Sequence, residues 1–291
     1  MIRRNPLLLL AALAPWARGQ NLTVQDYLAL PRPSADHRIA YGGDPLQFGE
    51  LRLPPGAGQH PVAIVIHGGC WRAQYDLAPL SSFCAALTEA GVATWSLEYR
   101  RVGNPGGGWP GTFEDVARGA DFLRTLAKEH PLDLSRVIAV GHSAGGHLVL
   151  WLAARGRLPS ESPLYAPEPL PLAGVVSIAG VTDLRAAAER GICGDVIAQI
   201  AGGNYALSSP IELLPLGIPQ RLVNGARDTT VPLELGRSYE AAARKSGDDA
   251  KLVAIDDAGH FEMVSPRTAA WAVVKQNVLS LLKLDDGELG R

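Results

Sequence analysis

The apolar run Val137-Ile138-Ala139-Val140 leads directly into Gly141-His142-Ser143-Ala144-Gly145, and Gly146 to Ala154 follows with the pattern of a helix. A short, wholly apolar run of this kind is a strand buried on both faces. Only a sharp turn fits between such a strand and a helix. Glycines stand two positions to either side of Ser143, where so tight a bend leaves no room for larger side chains. The turn lifts the serine hydroxyl out of the sheet and sets it at a helix N-terminus, where the dipole favours developing negative charge. Ser143 is therefore the candidate nucleophile; the bland alternative is a glycine-rich turn.

The remaining patterns place this turn in an α/β fold. Residues 37–53 read as two short strands, around Ile39-Ala40-Tyr41 and from Leu46 to Leu53, separated by the turn Gly42-Gly43-Asp44-Pro45. Further strands are expected at Val62 to Ile66, Val92 to Leu97, Val137 to Val140, Val175 to Ile178, Arg221 to Val223 and Lys251 to Ile255. Helical patterns run from Leu77 to Ala90, Glu114 to Glu129, Gly146 to Ala154, Leu233 to Lys245 and Pro266 to Leu282. The stretch Leu158 to Leu172 is proline-rich loop, and 183–214 is an irregular, partly helical insertion. Strands alternating with helices give a mostly parallel twisted sheet with helices on both faces. Right-handed crossovers bring the strand C-termini to one edge, where active sites of such sheets lie.

Three further elements follow the ends of expected strands. His67-Gly68-Gly69-Cys70-Trp71 comes directly after Val62 to Ile66. Acyl transfer builds an oxyanion that needs fixed N–H donors, and glycines let the backbone approach substrate. The candidate oxyanion hole is Gly68, Gly69, Cys70 and Ala144; which amides serve is open. His67 is read as a brace for this loop rather than the base, and Trp71 either lines the pocket or packs. The candidate base is His260, after Lys251 to Ile255 and the turn Asp256-Asp257-Ala258-Gly259. The candidate acid is Asp228, in the order Ser, Asp, His. Asp183 also follows a strand, but it suits the N-cap of the next helix.

Composition sets the outer bounds. The chain has 291 residues, 47% hydrophobic and 19% charged, with a formal net charge of -2. That suits a large globular core and gives no sign of the basic surface that nucleic acid or an anionic membrane requires. Arg3 and Arg4, the apolar run Leu7 to Leu13 and Ala17-Arg18-Gly19 form a signal-peptide pattern, too short to span a bilayer. Cleavage is expected after Gly19, with a periplasmic or secreted product. Of the three cysteines, Cys84 sits at helical spacing with Leu80, Phe83 and Leu87 and is read as core. An odd count leaves at least one thiol unpaired, and the spacing of Cys70, Cys84 and Cys193 decides no pairing. No pair has metal-ligand spacing, and neither metal nor cofactor is expected.

With HGGCW paired to GHSAGGH, the chain resembles the kynurenine-formamidase and acetyl/feruloyl-esterase branch of the α/β hydrolases. Related esterases carry HGGG where this chain has Cys70. Tyr41-Gly-Gly-Asp-Pro, Glu98-Tyr99-Arg100-Arg101, Gly106-Gly-Gly-Trp-Pro110 and Gly259-His260-Phe261 extend the likeness over about residues 37 to 284. The resemblance implies a cofactor-free serine hydrolase of small acyl esters, with a cap from residues 20–36, 102–111 and 183–214. Trp71, Trp109 and His142 are the candidate pocket residues. The division is then signal peptide 1–19, N-terminal cap segment 20–36 and hydrolase domain 37–291. The rival readings are an arylformamidase acting on N-formylkynurenine, a binding module that has lost catalysis, and a peptidase. The partner is a small-molecule ester, with no nucleic acid and no membrane role beyond export.

Overall fold

The computed structural model describes residues 21–284; the expected signal peptide lies outside them. Eight strands form one sheet: β1 (His37–Ala40), β2 (Phe48–Arg52), β3 (His60–Ile66), β4 (Ala93–Leu97), β5 (Leu132–His142), β6 (Gly174–Ile178), β7 (Gln220–Gly225) and β8 (Ala250–Ile255). Their order across the sheet is β1-β2-β4-β3-β5-β6-β7-β8. β2 runs antiparallel to both neighbours, and every other pairing is parallel. The helices are α1 (Val24–Leu28), α2 (Ser81–Glu89), α3 (Gly111–Asp121), α4 (Leu123–Leu126), α5 (Ala144–Ala154), α6 (Leu184–Glu189), α7 (Val196–Ala201), α8 (Tyr205–Ser208), α9 (Leu233–Lys245) and α10 (Ala269–Leu281).

The period of β3 explains the layering. Val62, Ile64 and Ile66 belong to one buried cluster, with Trp95, Leu97 and Trp151. Ala63 and Val65 belong to the other, with Phe83, Leu87, Val274 and Val278. Alternate side chains of one strand thus feed cores on opposite faces of the sheet. Cys84 lies in the second cluster, as its spacing predicts.

Two elements depart furthest from expectation. The helix expected over Glu114–Glu129 starts earlier, at Gly111 after Pro110, and breaks at Phe122 into α3 and α4. Proline is at home where a helix begins, because its missing N–H falls among the unpaired amides there. β5 begins at Leu132, well before the apolar run. Its polar first half pairs Leu132 with His60 and Asp133 with Pro61, and the register then shifts at Pro61/Val62. Asp133 there accepts bonds from Ser135 N and Arg136 Nε, so polarity hid an extended segment from the hydrophobic pattern.

Candidate active site

β5 and α5 present Ser143 at the parallel edge of the sheet. Ser143 has φ 56° and ψ -118°, a conformation that side chains rarely adopt. A Cβ on Gly141 would collide with the backbone of Gly145, and one on Gly145 with the carbonyl of Ile66. The flanking glycines are therefore steric requirements of the turn. Ser143 N–H donates to Ile178 O at 2.8 Å, which locks the turn to β6.

His260 and Asp228 meet beside it. His260 Nδ1–H donates to Asp228 Oδ2 at 2.7 Å, with both side chains buried. The other carboxylate oxygen, Oδ1, accepts from Thr230 N at 2.8 Å and Val231 N at 2.9 Å. Asp228 is thus held as an acceptor on both oxygens, and it orients the His260 ring through Nδ1. The rival Asp183 is an N-cap: its Oδ1 accepts from Arg185 N at 2.9 Å and Ala186 N at 3.1 Å.

The loop after β3 is built as the sequence suggests. His67 braces it: Nδ1–H donates to Gly68 O at 2.8 Å, and Nε2 faces Glu98 Oε1 at 3.2 Å. Tyr99 stacks on the His67 ring, with centroids 4.4 Å apart. Burial pushes the Glu98 carboxyl up, but the His67 ring and Arg101 outweigh it and hold it below the usual carboxylate range. Gly68 packs behind the serine, where a Cβ would stand 2.7 Å from His142 O and 3.0 Å from Ser143 Cβ. Gly69 and Cys70 reach the wall of the cleft that holds Ser143. Among the described residues, the amides of Gly69, Cys70 and Ala144 donate to no protein acceptor.

That cleft encloses about 500 Å³. Leu22, Tyr27, Leu28 and Phe261 give it an apolar wall, and Arg227, Thr229 and Thr230 a polar rim. Of the three expected pocket residues, only His142 lines it. His142 Nε2–H donates to His260 O at 2.9 Å, and burial, then the nearby His260, pushes its pKa down to about 3. Trp71 is instead fully buried and packs edge-on against His147, with centroids 5.1 Å apart. Trp109 packs edge-on against Phe113 at 5.3 Å. Trp71 is a core residue and Trp109 a half-buried one packed against the core, because the loops that carry them fold back onto α5 and α3.

The expected cap is corrected in the same way. Of its three segments, the N-terminal one walls the cleft from Asn21 to Leu28, while 102–111 and 183–214 do not. α1 has a capping box between Thr23 and Asp26, a signal present in the sequence and not read there. Tyr27 stacks on Phe261 with centroids 5.0 Å apart. The cysteines are also resolved: Cys70 is bonded to Cys193, and Cys84 is free and buried. Among the described residues, no cluster of three or more His, Cys, Asp or Glu side chains is arranged to hold a metal ion.

This fold is that of the α/β-hydrolase class, with Ser143, Asp228 and His260 brought together at the edge of its sheet. The BD-FAE family model matches residues 50–241, and the chain belongs to that family. It is 28% identical to esterase LipC of Mycobacterium tuberculosis, over 77% of this chain and 59% of that one. The chain spans about three fifths of the length of the curated relatives it matches. Among solved structures, a truncated carbohydrate esterase from gut microbiota superposes with TM-score 0.72 at 21% identity, covering 84% of this chain and 95% of that one. Esterase B from Lactobacillus rhamnosis gives 0.75 at 19% identity, covering 88% and 89%.

Proposed function

We propose that the chain is a serine carboxylic-ester hydrolase acting on small acyl esters, acetyl, short-chain or aryl, through an acyl-enzyme. The observation that carries this is the buried 2.7 Å contact of Asp228 with His260, which lines the same cleft as Ser143 on its strained turn. Ser143 Oγ attacks the ester carbonyl as His260 Nε2 takes its proton. Asp228 stabilises the imidazolium and does not itself take the proton. The amides of Ala144, Gly69 and Cys70 receive the developing oxyanion. His260 returns the proton to the leaving alcohol, then activates the water that frees the acyl group. A cleft of about 500 Å³ with an apolar wall and polar rim suits a small acyl group on a hydroxylated leaving group.

The same reading makes the protein an exported enzyme. The signal-peptide pattern at residues 1–19 supports this, and so does a disulfide, which persists in oxidising compartments. No helix among the described residues is long and apolar enough to cross a membrane.

The test is a panel of 4-nitrophenyl acetate, butyrate and octanoate, methyl ferulate and N-formylkynurenine, with fluorophosphonate labelling of the wild type and Ser143→Ala. Rapid ester turnover and labelling lost in Ser143→Ala are expected, with kcat lower by about a million-fold. A strong preference for N-formylkynurenine overturns the ester reading, and absence of labelling in the folded wild type overturns the enzyme.

A further inference from the structure

Cys70 and Cys193 are bonded across 123 residues of sequence. Cys70 lies in the wall of the cleft, beside Ser143. Cys193 lies in the turn between α6 and α7, in the insertion that stays out of the cleft. The bond therefore ties a segment at the reacting centre to one with no other part in it.

The tied segment needs holding. Gly69, Cys70 and Trp71 all have positive φ, at 108°, 51° and 51°. Glycine takes such a conformation freely, but residues with a Cβ rarely do. The flanks are fixed: His67 is clamped by Glu98 on one side, and the Trp71 ring is fully buried on the other. Val102 N–H donates to Trp71 O at 2.8 Å, and Ala73 N–H donates to Val102 O at 2.9 Å. Between these flanks stand Gly69 and Cys70, whose amides have no protein acceptor among the described residues. Gly69 has no side chain. Among the described residues, the one side-chain anchor of this donor pair is the sulfur of Cys70, beside a backbone bond from Arg72 N–H to Gly69 O at 3.0 Å. A parallel tie strengthens the far end: Arg72 Nη2 donates to Cys193 O at 3.0 Å.

We infer that the Cys70–Cys193 disulfide is a positioning crosslink that holds the Gly69 and Cys70 amides in oxyanion-binding geometry, so that turnover depends on the bond being intact. This rests on the esterase reading above. Both cysteines are partly exposed, so a reductant can reach the bond. A water-soluble phosphine converts it to two thiols: the phosphine supplies two electrons and leaves as its oxide, with the oxygen of one water. The two protons of that water complete the thiols.

The experiment compares four proteins on 4-nitrophenyl acetate: wild type, phosphine-reduced wild type, Cys70→Ser/Cys193→Ser and Cys70→Gly/Cys193→Ser. Folding is monitored by near-UV circular dichroism. Loss of an aimed donor lowers kcat and leaves ground-state binding alone, so kcat should fall about tenfold or more with KM within about twofold. The glycine variant should recover most of the loss, since glycine adopts the backbone of residue 70 without the bond. A general structural crosslink gives no such rescue. A reduced, folded enzyme with wild-type kcat overturns the inference. So does a glycine variant no faster than the serine variant. Failure of the oxidised wild type to label with a fluorophosphonate is a different result: it removes the esterase reading, and this inference with it.

Discussion

The amide of Leu22 donates to Oε1 of Glu262, two residues beyond His260. The other oxygen of that carboxylate accepts from Gly259 N–H at 2.9 Å. One buried side chain thus joins the wall of the cleft to the loop that carries the histidine. Removing both acceptors in Glu262→Ala should cost about 1.5–3 kcal/mol for each bond to the charged group. The N-terminal segment should loosen, raising KM for 4-nitrophenyl acetate more than it lowers kcat. Glu262→Gln keeps one acceptor and should fall between. Equal loss of kcat/KM on acetate and octanoate, with KM unchanged, would show that this segment does not shape the cleft.

Asp228 and Asp183 both follow strands, and the structure gives them different work. Asp228→Asn keeps the shape but presents the wrong hydrogen-bond partner to His260 Nδ1. Its kcat should drop by about 10⁴ with little change in melting temperature. Asp183→Ala removes an N-cap and should cost about 1 kcal/mol of stability with kcat unchanged. Steady-state kinetics and thermal melts on the two variants separate the roles; the reverse pattern would reassign the acid.

The turn at Ser143 and the meeting of Asp228 with His260 were legible because each follows the end of an apolar strand, and strand ends in this topology converge on one edge. Helix α9 was legible to the residue, since apolar spacing and flanking prolines and glycines agree there. Trp71 and Trp109 were not. A tryptophan beside a glycine-rich loop has the same sequence signature whether its ring turns to substrate or to core, and only the path of the loop decides. The Cys70–Cys193 pairing was hidden for a related reason: it depends on where an irregular insertion of short helices comes to rest. The N-terminal wall of the cleft was legible only as a segment, the expected cap 20–36; with no strand pattern there, the sequence did not show that Leu22 and Tyr27 line it.

Two buried histidines should make the fold sensitive to mild acid. Burial, helped at His142 by the nearby His260, pushes His142 down to about 3, and burial pushes His147 down to about 4. Both are neutral in the folded protein at pH 5, whereas in the unfolded chain they take up protons below about pH 6.5. The unfolded state then binds more protons, so stability falls as pH drops below about 6.5, by up to about 1.4 kcal/mol per pH unit per group. The usual carboxylates titrate lower and leave the window from pH 6.5 to 5 to the histidines. Urea midpoints at pH 7, 6 and 5 should decline in wild type and decline less in His147→Gln. Parallel slopes would mean that His147 takes up its proton in the folded state.

Thiol chemistry should count one cysteine only after unfolding. Cys84 is fully buried, and burial pushes its thiol up to about 11, which suppresses the reactive thiolate. The native, oxidised protein should give no colour with Ellman's reagent. One thiol should appear in denaturant and three after reduction in denaturant. A reactive thiol in the native state would show either an open Cys84 site or an unformed bond between Cys70 and Cys193.

Glu98 is the keystone behind the loop that follows β3. It pairs with Arg101 and His67, and it accepts the amides of Leu77 at 3.2 Å and Tyr99 at 3.0 Å. Glu98 and Arg101 are each buried, and Arg101 Nε already has no partner. Glu98→Ala leaves the guanidinium buried without its counter-charge and two amides without acceptors. Breaking a buried pair from one side typically costs about 3–5 kcal/mol, so the urea midpoint should fall sharply. Because the same carboxylate clamps His67 below Gly68, kcat should fall in the fraction that remains folded, with KM little changed. Glu98→Gln retains size and one acceptor oxygen and should lose less of both. A loss under about 1 kcal/mol in Glu98→Ala would show that water reaches Arg101 and that the clamp on the loop is carried by Tyr99 instead.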